Sequence, residues 1–214
     1  MEARTGDRYV TVKGVAERSV KADLALWPLR FVATGNDLSS VQDKIEADTN
    51  TVTNFLTRAG TPAEEIELQG LEVTDLLAQA YRSGPVESRF IVAQTLLVRS
   101  ADVDRIKATS QRIGELVSAG VVLSNEMMPL AGPYYAFTGL NDIKPGMIAE
   151  ATRNARAGAE QFAADSGSAV GGIRRANQGV FQILAQNDTP GLDEAKQINK
   201  TVRVVSTLDF YLTD

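Results

Sequence analysis

The sequence contains neither cysteine nor histidine. The first absence excludes a disulfide framework, a thiolate nucleophile and a Cys-x-x-Cys site. The second excludes a Ser-His-Asp relay and the usual zinc ligand sets. A chain without thiols suits an oxidising compartment, where a stray thiol is a liability. No run of 18 apolar residues occurs, so the sequence offers no segment with the length and polarity of a transmembrane helix. Met1-Glu2-Ala3-Arg4 is not followed by an apolar signal region. Positive charge is in deficit: 22 Lys and Arg against 27 Asp and Glu give a formal charge of -5. That balance repels a phosphate backbone, and nucleic acid is excluded as an expected partner. Arg153, Arg156, Arg174 and Arg175 are read as solvated or ion-paired groups.

What remains is an ordinary globular composition, 43% hydrophobic and 23% charged over 214 residues, enough to build a core without covalent staples. Tyr9 to Val20 and Leu24 to Thr34 are rich in Val, Thr and aromatics and predict a strand pair. In the second strand Trp27, Leu29, Phe31 and Ala33 share one face, and Pro28, which cannot donate to a ladder, predicts an edge or a bulge. Gly35-Asn36-Asp37 supplies a turn and an N-cap for a helix carrying Leu38, Val41, Ile45, Val52, Phe55 and Leu56, which Gly60 and Pro62 end. Strands are expected over Ile66 to Leu77 and Arg89 to Arg99, with a polar hairpin loop from Ala78 to Glu87 between them. A second helix opens near Ser100 or Asp102 and meets Gly120, and Val121 to Leu123 restarts a strand. A third helix is expected from Pro145 to Gly167, with Ile148, Ala151, Ala155, Ala159 and Phe162 on one stripe. Gly172 to Leu184, a polar loop from Asn187 to Asp193 and a long strand through Val202, Val204, Leu208, Phe210 and Leu212 close the chain.

These residues resemble the SIMPL-domain family, whose bacterial members include a periplasmic immunogenic protein. Tyr9-Val-Thr-Val-Lys-Gly14, Glu17, Val20 and Ala22-Asp23-Leu24-Ala25 look like its opening strand, Gly-containing turn and Pro-Asp-x-Ala step, with Ala22 where proline is usual. Gly60 and Ile66 to Val73 are similar to its Ile-x-x-x-Gly-Leu-x-Val strand, and Tyr81 with Phe90 to Val98 to the next one. Glu150-Ala151, Ala155-Arg156, Ala163, Gly167 and Gly171-Gly172-Ile173 resemble its Ala-rich helix and Gly-stopped exit. The resemblance implies an α+β domain over residues 9–214, with antiparallel-rich sheets and three long flanking helices, after a short tail over residues 1–8. It also implies an exported, periplasmic or membrane-anchored bacterial location, homo-oligomeric assembly in at least some members, a link to envelope or oxidative stress, and no established catalytic activity. On this reading Met1 stands where an export signal or anchor would precede the domain.

Glu64, Glu65 and Glu67 form the densest carboxylate cluster, but a general acid needs a buried carboxyl with a partner held nearby. A solvated strand entrance that discourages sheet aggregation fits them better. Asp102 and Asp104 lack the ligand pattern of a hard-cation loop and suit helix capping. Ser39-Ser40 and Ser166-Gly167-Ser168 have no base beside them in sequence, Gly171-Gly172 lacks the ending of a phosphate loop, and Asn187-Asp-Thr189 and Asn199-Lys-Thr201 are chance glycosylation triplets. The segment singled out is Met127, Met128, Pro129, Leu130, Tyr134, Tyr135 and Phe137, because methionine and aromatic residues are enriched at protein interfaces. The same residues would equally fill the domain's own core. The expected function is therefore a non-enzymatic, homo-oligomeric scaffold or protein-binding module with no catalytic, metal or cofactor residues. Alternatives are a small apolar-ligand carrier, suggested by Trp27, Phe31 and the tyrosines, and a carboxylate- or metal-dependent hydrolase.

Overall fold

The computed structural model describes residues 8–78, 85, 87–125, 131–188, 190–191 and 193–213. The tail before Arg8, most of the expected hairpin loop, Met127 to Leu130 and Thr189 lie outside the described residues. In chain order the elements are β1 (Tyr9–Lys21), β2 (Leu24–Gly35), α1 (Leu38–Arg58), β3 (Ile66–Asp75), β4 (Phe90–Ser100), α2 (Val103–Ser110), α3 (Gly114–Ser118), β5 (Val122–Leu123), β6 (Tyr134–Ala136), α4 (Leu140–Asp165), β7 (Ala169–Gln178), β8 (Gln182–Ala185) and β9 (Asn199–Thr213). Every described strand pairing is antiparallel, and the fold is α+β. The chain divides into two compact units, residues 23–136 and the two flanking stretches together.

In the unit made of residues 23–136, the sheet runs β3-β4-β2, with β5 and β6 paired successively along the far side of β2. Alternation places Trp27, Leu29, Phe31 and Ala33 on one face of β2, all buried, where α1 packs over β2 and β4. From α1 come Val41, Ile45, Val52, Phe55 and Leu56, the helical repeat seen in the sequence. Trp27, Phe31 and Phe55 are at most 2% exposed, each contributing roughly 1.5–3 kcal/mol of burial. Asp37 caps α1 by accepting from the Ser40 N–H at 2.9 Å, and Asp102 caps α2 by accepting from the Arg105 N–H at 3.0 Å. Gly60 and Gly120 end the helical segments at φ 88° and 84°, which glycine adopts without Cβ strain. The expected second helix is divided: α2 stops at Ser110 and α3 begins at Gly114.

In the other unit the sheet runs β1-β9-β7, and β8 continues the β7 edge along β9. One helix, α4, lies across it. Its buried stripe is Met147, Ala151, Ala155, Ala159 and Ala163: the three central alanines are those of the sequence reading, and the ends shift by one residue, from Ile148 to Met147 and from Phe162 to Ala163. Phe162, about 100° further round the helix, is 60% exposed. The helix also starts at Leu140, so Pro145 lies inside it and Asn141 and Asp142 occupy its first turn instead of preceding it. The small side chains let α4 settle directly on β1 at Gly14, beside Val12, Ala16, Val202, Val204, Leu208 and Phe210.

The first two strands are not partners. β1 pairs along its whole length with β9, and β2 with β4. The connection explains the divergence: the Ala22 N–H donates to Ile198 O at 2.7 Å and the Asp23 N–H to Ala136 O at 3.0 Å, so successive residues are tied to different strands.

Candidate functional site

Of the residues singled out in the sequence, the described ones are each at least half-buried within their own unit. Tyr135 sits on β6 opposite Ala25 and is buried at 6% exposure. Burial, reinforced by the Asp104 charge, pushes its phenol up to about 12. Tyr134 is half-buried opposite Leu26, and Phe137 packs onto the cluster of Ala16, Met147, Ala151, Val202 and Val204. Met127, Met128, Pro129 and Leu130 lie outside the described residues.

The carboxylates are dispersed. Glu65 is paired with Arg105, Asp75 with Arg89 at 2.8 Å, and Glu67 is exposed on β3. The Arg89 guanidinium holds the Asp75 carboxyl below its ordinary value. Among the described residues no three acidic side chains gather as a metal site would require. Ser166 Oγ donates to Ala163 O and Ser168 accepts from Arg8, so both hydroxyls serve local structure.

Two features have the geometry of binding surfaces. The first is a cavity of about 340 Å³ lined by Trp27, Leu29, Ile113 and Leu123, with Ser110 and Asn125 as polar groups. Its origin lies in the sheet. β6 pairs with Leu24–Leu26 and β5 with Phe31–Val32, and the Ser124 N–H donates to Arg30 O at 2.8 Å, leaving Trp27 to Leu29 without a partner strand on that side among the described residues. Pro28 falls in this gap, where the missing amide proton has no ladder bond to make. Arg30 also lines the cavity, and its guanidinium pairs with Glu72 on β3 at 2.6 Å.

The second feature is the pair of free sheet edges. β3 pairs only with β4, and β7 only with β9, among the described residues. On β3 Leu68, Leu71 and Val73 are 60%, 45% and 52% exposed, and on β7 Ile173 is 46% exposed. Sequence periodicity marked these residues as strand but gave no sign of which strands would end each sheet.

The SIMPL family, described as a protein of unknown function (DUF541), matches residues 10–207. The chain belongs to the SIMPL family. The SIMPL match begins in β1 and ends in β9, and so spans both units. No curated protein matches the chain. Two positions of the SIMPL-like pattern gain a physical reason. Gly14 is where α4 touches β1, and Ala22, standing in place of proline, uses the amide proton that proline lacks. No helix of the described residues is long and apolar enough to cross a membrane.

Proposed function

We propose that this SIMPL-family chain is a non-catalytic, extracytoplasmic protein that acts by contact, as a homo-oligomeric scaffold or protein-binding module. The observation that carries the reading is the exposure of large apolar side chains along two edge strands, β3 and β7, each paired on one side only among the described residues. Folded monomers ordinarily blunt such edges, because unpaired backbone groups beside apolar side chains recruit another strand. The extracytoplasmic placement draws on the absence of thiols and on the family resemblance, and the resemblance alone supplies the link to envelope or oxidative stress. Light scattering across a dilution series tests the reading. The expected mass is a multiple of 23.0 kDa that falls on dilution. A mass fixed at one chain at every concentration overturns it.

A second reading, carriage of a small ligand, is favoured by the cavity at the β2 gap, whose size lies near the lower end of small-molecule sites. Trp27, the single tryptophan, lines it and serves as a reporter. Energy transfer from Trp27 to an anilinonaphthalene dye, lost when Ser110→Phe fills the cavity, supports carriage. Absence of transfer at saturating dye rejects it.

A further inference from the structure

The two free edges differ in charge while matching in apolar pattern, and this specifies more than self-association. On β3, Leu68, Leu71 and Val73 stand opposite Leu96, Gln94 and Val92 of β4, on the face that α1 covers further in. Glu67 and Glu72 stand opposite Leu97 and Ala93, on the other face. On β7, Val170, Ile173 and Ala176 stand opposite Leu212, Phe210 and Leu208 of β9, on the α4 face, while Arg175 stands opposite Asp209 on the other. The β3 segment carries Glu67, Glu72 and Asp75 and no basic residue; Glu72 and Asp75 are paired with Arg30 and Arg89, which leaves Glu67 to face a partner. The β7 segment carries Arg174 and Arg175 and no acidic one.

We propose that β3 of one copy adds to β7 of a second copy, so that copies join head to tail through unlike sheet edges. The inference rests on the self-association reading above and names its interface. With the strands antiparallel and the helix-bearing faces aligned, Leu68 meets Ile173 and Leu71 meets Val170, while Glu67 meets Arg175. Glu67 and Arg175 are both exposed and have no ion-pair partner among the described residues. Pairing of like edges is worse. If β3 met another β3 with Leu68 opposite Leu71, Glu67 would fall opposite Glu72, a carboxylate that Arg30 already holds, and would gain no free cation. Two β7 edges would bring arginines together with no carboxylate on either strand. Because the joined surfaces differ, each copy keeps one edge free after joining. The assembly therefore grows to a closed ring or an open filament instead of stopping at a two-fold dimer.

Charge reversal tests this in the full chain. Glu67→Lys alone and Arg175→Glu alone are each expected to raise the dissociation constant about tenfold or more, since each sets like charges across the contact. Both variants should keep the wild-type circular dichroism spectrum. The double variant E67K/R175E restores complementarity and returns the mass to the wild-type curve. If wild type assembles while both single variants assemble equally well, the contact lies elsewhere and the inference fails with self-association intact. If Glu67→Lys strengthens assembly, like β3 edges pair and the inference also fails. A monomeric wild type removes the self-association reading itself. The cysteine-free background permits a second measurement. Leu68→Cys and Ile173→Cys chains, mixed and oxidised, should form a covalent heterodimer, and a bridge in Leu68→Cys alone contradicts the proposal.

Discussion

The backbone of Gly14 lies so close to Ala151 that a Cβ added at position 14 would stand 1.8 Å from the Ala151 carbonyl oxygen. The same atom would meet Ala155 N at 2.6 Å. Both obstacles are helix backbone, which cannot rotate away, so the helix itself would have to lift from β1. Gly14→Ala is expected to cost about 3 kcal/mol. At roughly 2–4 °C per kcal/mol for a chain of this size, that is a fall in Tm of about 6–12 °C. An unchanged melt would show that α4 does not sit on β1 this tightly.

Ala22 is 4% exposed and its N–H donates to Ile198 O at 2.7 Å. Ala22→Pro brings in the residue usual in the SIMPL-like pattern, yet removes that donor and leaves a carbonyl short of its partner. The expected cost is about 1–3 kcal/mol, read as a lower midpoint in urea at constant slope. A rise in stability would mean that fixing the backbone at this connection outweighs the hydrogen bond.

Lys200 is fully buried on β9, and its Nζ donates to Glu194 O at 2.8 Å and to the Glu194 carboxylate. Glu194→Ala leaves the ammonium group with one carbonyl partner and is expected to cost about 3 kcal/mol, the low end for a broken buried pair because Glu194 is 38% exposed. Lys200→Met removes the charge together with its need for a partner and should cost less. Chemical denaturation of the two variants decides the order, and a larger loss for Lys200→Met contradicts it.

Burial raises the Tyr135 phenol from its ordinary 10.0 to about 12. A folded-state value above the unfolded one means that the stabilisation is fully present below about pH 10 and is lost as pH rises toward 12. Tyr135→Phe should therefore flatten the alkaline fall in Tm over that window relative to wild type. In an absorbance titration Tyr135→Phe should remove a phenol that ionises at about 12 in the wild type. An unaltered alkaline profile in the variant would place the phenol in water.

Much of the secondary structure was legible because local signals and tertiary structure agree. Asp37, Asp102, Gly60 and Gly120 cap or stop helices as their chemistry requires. The face of Trp27, Leu29, Phe31 and Ala33 is buried as alternation demands. Strand partnership was not legible, since Val12 and Val15 suit any neighbouring strand, and only the long-range contact with β9 distinguishes β9 from β2. The start of α4 was misplaced because Pro145 is a helix-start residue by preference, but the turn from Leu140 to Lys144 precedes it. Of the binding features, the apolar residues of β3 were read as strand. That they lie on an edge depends on which strands fail to find partners, and no periodicity encodes that.

Mixing two defective variants puts the unlike-edge account to its most direct test. In the Glu67→Lys chain both edges carry a basic group at the contact, and in the Arg175→Glu chain both carry an acidic one. Each preparation alone should sediment as a single chain. An equimolar mixture should regain wild-type mass, because the β3 edge of the Glu67→Lys chain accepts the β7 edge of the Arg175→Glu chain. A mixture that sediments as the sum of its two components, beside a wild type that assembles, contradicts the account.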